Sequence, residues 1–113
     1  MIWVTNGGSN SVTAFAGGEP IAGSPLTGGG LNRPEGIVSE SKGQVWVANN
    51  GANTLAELSA WKVPPGFVSP PHGFTGAGLN HPWGLAIDRH GNLWATNEGN
   101  GSVTLFALGN VRH

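Results

Sequence analysis

Apolar and polar residues alternate along this chain in short bursts, and the bursts recur. "IWVTNGGSNSVTAFA" at 2–16, "VWVANNGANTLAELS" at 45–59 and "LWATNEGNGSVTLFA" at 93–107 overlay residue for residue. Each opens on a short apolar run, crosses an Asn/Gly segment, and resumes as Ser or Thr alternating with Val, Leu or Phe. A period of two predicts half-buried strands, and the intervening asparagines and glycines supply the positive φ angles of a tight turn. Ahead of the second and third copies stand "PEGIVSESKGQ" and "PWGLAIDRHGN", which predict a further strand and a turn at Gly43 and Gly91. Between copies, "SPLTGGGLN" and "PHGFTGAGLN" each predict one more short strand running into a glycine-rich connector. No window keeps a 3.6-residue period, and glycine or proline interrupts every stretch longer than twelve residues. The expectation is an all-β chain.

One unit is thus four short antiparallel strands in about 45 residues, the period and strand count of a β-propeller blade. A β-sandwich is the alternative, but it does not require so regular a repeat. With strands labelled A (inner) to D (outer), the chain reads B-C-D, A-B-C-D, A-B-C. The predicted single domain, 1–113, is a partial propeller: a partial blade at 1–30, a full blade at 31–78 and a partial blade at 79–113. A closed ring takes at least four blades, and three alone would expose flat apolar faces that drive association. A homo-oligomer is therefore expected. A homodimer closing a six-bladed ring is favoured and a homotrimer comes second.

Composition narrows the partners. Glycine is abundant at 20 residues and charge is scarce at 10%, yet five tryptophans supply buriable surface that a disordered chain lacks. A net charge of −1 offers no basic patch, which argues against nucleic acid. With no cysteine, disulfides and thiolate metal sites are excluded. No apolar run approaches the ~20 residues of a membrane-spanning helix, and "MIWVTNGG" has none of the features of a signal peptide. A soluble, untargeted chain with no membrane partner is expected.

The paired segments "PEGIVSESKGQVWVAN" and "PWGLAIDRHGNLWATN" resemble the core of NHL-repeat β-propellers. More distantly, they are similar to virginiamycin B lyase-like and gluconolactonase-like propellers. The resemblance covers nearly the whole chain, twice in full and once in part. It implies the architecture, while activity in this superfold ranges over scaffolds, binders, lactonases and lyases.

Propeller geometry puts the D–A and B–C loops on one face, around the channel mouth, where a ligand site is expected. Positions identical between copies are expected to be architectural: Pro34 and Pro82, Gly36 and Gly84, Gly43 and Gly91, all expected to set turn dihedrals, with Trp3, Trp46 and Trp94, and Asn6, Asn49 and Asn97. The tryptophans are expected to pack between blades. The asparagines are expected to tie off turn backbone, the alternative being convergence on a cation. Positions that differ at the mouth are the candidates: Arg33 against His81, Glu35 against Trp83, and Gly7, Asn50 and Glu98 against one another.

The gluconolactonase-like resemblance implies a divalent metal held by Glu35 with Asn49 and Asn97. That family's aspartate has no counterpart here, because Asp88, the single aspartate, falls in an A–B turn on the other face. His81 with Glu98 forms a second set, an imidazole and carboxylate suited to Zn²⁺ and water activation. Without metal, the pair could serve as general base and orienting acid. The plain alternative has His81 capping its loop and Glu98 in water. Candidate catalytic residues are thus His81, Glu98 and Glu35. Candidate ligands for Zn or Ca are the same three with Asn49 and Asn97, and candidate ligand contacts are Arg33, Trp83, Asn50 and Asn6. His90 reads as an exposed turn residue and His72 as an outer-rim residue. Two functions are carried forward: an assembling module that binds a small ligand, metal ion or protein at the channel face, and a metal-dependent hydrolase of a lactone, ester or phosphoester, or a lyase, with its site at the channel mouth of the oligomer.

Overall fold

Each Asn/Gly segment closes a hairpin, because its tightest position carries a residue that tolerates a left-handed backbone. Asn10, Asn53 and Gly101 occupy equivalent positions with φ of 53°, 56° and 69°. The computed structural model describes residues 1–40, 43–59 and 66–106. Within these, the first sheet is β1 (Ile2–Asn6), β2 (Ser11–Ala16) and β3 (Glu19–Pro20). The second is β4 (Pro34–Ser39), β5 (Gln44–Asn49), β6 (Thr54–Ser59) and β7 (Gly66–Phe67), hydrogen-bonded in that order. The third contains β8 (Pro82–Ile87), β9 (Leu93–Asn97) and β10 (Ser102–Phe106), with β9 in the middle. Every pairing is antiparallel. The chain is all-β, with no helix among the described residues.

The outer strands differ from expectation. "SPL" and "HGF" do not form them. The ladder partners of β2 and β6 are instead the two-residue strands β3 and β7, while Leu26 and Phe74 make single bridges to Val12 and Leu55. Prolines 25, 70 and 71 lack the amide a ladder needs, and the flanking glycines turn the chain away, so only one residue pairs in each segment.

The period-two pattern gives each sheet two faces, and the sheets pack face on face. From the first sheet, Trp3, Val12 and Leu26 lie against Val45, Val47, Ala56 and Leu58 of the second. From the opposite face of the second sheet, Trp46, Leu55 and Phe74 lie against Leu85, Ile87, Leu93 and Phe106 of the third. The two contacts use equivalent residues. Trp46 is fully buried, with its ring centroid 5.7 Å from that of Phe74. The inner strands β4 and β8 approach so closely that a side chain at Gly36 would run into the Trp83 carbonyl. Close approach, rather than a turn dihedral, accounts for glycine there.

A polar tether accompanies the tryptophans. Trp46 Nε1 donates to Glu40 Oε2 at 3.1 Å, and Trp94 Nε1 donates to Asp88 Oδ2 at 2.9 Å. In both cases an acid in the turn before the strand fixes the indole's orientation. The Trp94 indole N–H, then the backbone amides of Asn92 and His90, hold the Asp88 carboxyl below its ordinary range.

Truncating Trp46→Ala should cost about 3–5 kcal/mol, a large share of the roughly 5–15 kcal/mol available to a domain of this size. The urea midpoint should fall accordingly. Because the folded pKa of Asp88 is depressed, its contribution is present above the unfolded value of 3.8 and is lost as pH falls through the folded one. Asp88→Asn should therefore flatten the decline of the melting temperature below about pH 4.

Candidate functional site

At one end of the sheets, the turns β1–β2, β5–β6 and β9–β10 meet the loops that enter β4 and β8. Hydrogen bonds fix this assembly. The amide of Asn50 donates to Arg33 O and that of Glu98 to His81 O, both at 3.2 Å, and Gly51 and Gly99 donate to Asn32 O and Asn80 O. The repeated asparagines serve these turns. Asn49 Oδ1 accepts from Asn32 N at 3.4 Å, and its Nδ2 donates to Thr54 Oγ1 at 3.1 Å. Asn97 Oδ1 accepts from Asn80 N at 3.1 Å, and its Nδ2 donates to Ser102 Oγ and Thr104 Oγ1. Asn6 Nδ2 reaches Ser11 Oγ and Thr13 Oγ1. These carboxamides tie the hairpins together.

A second asparagine pair clasps sheet to sheet. Asn10 Oδ1 accepts from Arg33 N at 2.8 Å, and Asn53 Oδ1 from His81 N at 2.7 Å. Arg33 and His81 both have φ of 47°, an angle uncommon for such side chains. The two clasps hold them there. Asn10 and Asn53 were not among the candidates read from the sequence. Their signal was present, since both stand at the same place in the repeat, with Gly101 in the third copy.

Of the candidate residues, His81, Asn50 and Glu98 come together. Asn50, 2% exposed, is the centre. Its Nδ2 donates to Glu98 Oε1 at 2.8 Å, to His81 O at 3.2 Å and to Pro82 O at 3.4 Å. Its backbone carbonyl lies 2.9 Å from His81 Nδ1. A carbonyl can only accept, so Nδ1 carries the proton and Nε2 of the neutral ring keeps its lone pair. One buried residue, in the turn after β5, thus orients an imidazole through its backbone carbonyl and a carboxylate through its side chain.

Glu35 belongs to the other junction. Its carbonyl accepts from Thr5 Oγ1 at 2.7 Å, and a Cβ on Gly7 would lie 4.0 Å from its Oε1. Among the described residues, His, Asp and Glu side chains form no group of three able to hold a metal, so Glu35 does not join His81 and Glu98 within the chain. Gly7 occupies the repeat position of Asn50, and there the carboxamide bridge is missing. Arg33 is exposed, as are His72 and His90.

Trp83, 48% exposed, lines a cavity of about 340 Å³ with Thr96, Asn97, Glu98, Ser102 and Val103. A flat indole, a carboxylate and two hydroxyls make a surface for a small molecule with one apolar side and a cationic or hydroxylated edge.

A scan against protein-family models matches no family, and a search of curated proteins finds no relative.

Asn50→Ala should cost about 1–3 kcal/mol, because it strips buried carbonyls and a carboxylate of their donor. Gly7→Asn should stabilise by up to about 1 kcal/mol. An added Cβ would sit 3.4 Å from Pro34 O, an ordinary contact, and the side chain would reproduce the Asn50 bridge at the first junction. Urea denaturation of the two variants reads both effects.

Proposed function

We propose that the chain is a self-assembling β-propeller module similar to the NHL-repeat type, and that it binds a small ligand on the face carrying the clasped turns and loops. The observation that carries this reading is the cavity beside Trp83, where an exposed indole stands next to the Glu98 carboxylate and the hydroxyls of Thr96 and Ser102. The engagement of Glu98 and His81 with Asn50 supports it, because both side chains serve to position the rim. The indole would stack against the ligand's flat or methylated side, and Glu98 would meet its polar or cationic edge.

A second reading is a hydrolase, favoured by His81. With Nδ1 fixed on the Asn50 carbonyl, Nε2 is a base of defined orientation. A divalent ion, Zn or Ca, would need ligands beyond the pair His81 and Glu98, and an assembly could bring Glu35 of another copy to it.

Tetramethylammonium and methyl glucoside are suitable probes, followed by tryptophan fluorescence. Binding of one of them that disappears in Trp83→Ala is the expected result, and no response to either would contradict the binding reading. Turnover of p-nitrophenyl acetate, lost in His81→Ala and tracked against Zn and Ca content with and without chelator, would replace it with the hydrolase.

A further inference from the structure

The two sheet-on-sheet contacts inside the chain use one pattern, and each outer sheet leaves one half of that pattern exposed. The covering half is a tryptophan face. In the second sheet it comprises Trp46, Leu55 and their neighbours, at 1% and 0% exposure beneath the third sheet. The equivalent face of the third sheet carries Trp94 and Val103, and these are 41% and 60% exposed. Leu105 stands there in the place of Glu57, so the uncovered face is more apolar than its covered counterpart. The receiving half is an aliphatic face. In the second sheet it comprises Val45 and Val47, at 1% and 0% beneath the first sheet. The equivalent residues of the first sheet, Ile2 and Val4, are 67% and 40% exposed.

We infer that the Trp94 face of β8–β10 seats on the Ile2/Val4 face of β1–β3 in a second copy of this chain, head to tail, and that two copies close reciprocally. The occupant is specified by the chain's own contacts. Each exposed face has a buried twin, and the partner of each twin is of the type exposed at the opposite end. A contact between two unlike faces propagates, and it closes into a ring when the rotation per sheet allows it. The Trp83–Glu98 cavity opens beside the same Trp94 face, for it shares Thr96 and Val103 with the groove along Trp94, Gly84 and Ala86. The incoming β1–β2 turn of the partner copy would therefore form its missing wall. This inference rests on the propeller reading above and specifies its joint.

The test uses the full chain and two variants, Trp94→Asp and Val4→Asp, each of which alters an exposed residue and spares both internal contacts. Circular dichroism and the fluorescence of buried Trp46 check that each still folds. By native mass spectrometry, the wild type should appear at twice the 11.6 kDa chain mass. Each variant alone should be monomeric, with its dimer dissociation constant raised at least ~30-fold. An equimolar mixture should form a 1:1 dimer that neither variant forms alone, weaker than the wild type, because one joint keeps the intact Trp94 and Val4 faces while the other carries both substitutions. A monomeric wild type, a Val4→Asp variant that still dimerises, or a mixture that stays monomeric would each overturn the inference. Open-ended polymers would overturn the closure. Probe binding without a dimer would reject the joint and leave the ligand reading, whereas a dimer without probe binding would do the reverse.

Discussion

The structure depends on one contact made twice: an indole-bearing face of one small sheet laid over the aliphatic face of the next. Each sheet of three or four short strands carries apolar faces that need a cover. Stacking buries Trp46, Leu55, Val45 and Val47 almost completely. It is strong for a physical reason. Trp and Phe carry the largest buriable areas of any side chains, and an indole held by a carboxylate in the preceding turn enters the contact already oriented. Gly36 answers the same constraint. The inner strands must approach until Gly36 meets the Trp83 carbonyl, and a side chain there would separate them.

The polar rim solves a second problem. Hairpin turns and incoming loops converge at one end, where backbone groups would otherwise be buried without partners. Asparagine answers repeatedly because its carboxamide both donates and accepts. Asn49 and Asn97 close their own hairpins, Asn10 and Asn53 hold the next sheet's loop in a left-handed turn, and Asn50 bridges the second and third sheets, a bridge that Gly7 cannot make between the first and second. Where the repeat departs from itself, chemistry becomes available. His81 and Glu98 are oriented by a buried neighbour, and Trp83 replaces Glu35 beside an open cavity.

Much of this was legible in the sequence. Alternation at 2–16, 45–59 and 93–107 specified the hairpins, and the overlay of copies specified which residues share a face. The packing of Trp3 and Trp46 followed from that overlay, as did the turn-tying role of Asn49 and Asn97, whereas Trp94 is 41% exposed and packs between no two sheets of the chain. The outer strands were misplaced, because the apolar Leu26 and Phe74 outweighed the prolines that limit each segment to a single bridge. The acid-to-indole tethers of Glu40 and Asp88 were missed for another reason. Asp88 was considered only as the family's metal aspartate and set aside for lying on the other face, and the tether spans six residues around a turn whose geometry no spacing rule encodes. The grouping of His81 and Glu98 was anticipated, but its centre was not. Asn50 looked like a rim contact, and only burial makes it the bridge.

The central claim is that the tryptophan face and the aliphatic face are energetically one unit. A double-mutant cycle on Trp46→Phe and Leu93→Ala, which belong to adjoining sheets of one cluster, measures this most directly. The account predicts a coupling energy of about 1–2 kcal/mol in urea denaturation. Additivity within about 0.3 kcal/mol would contradict it, and would mean that the sheets lie side by side without depending on each other.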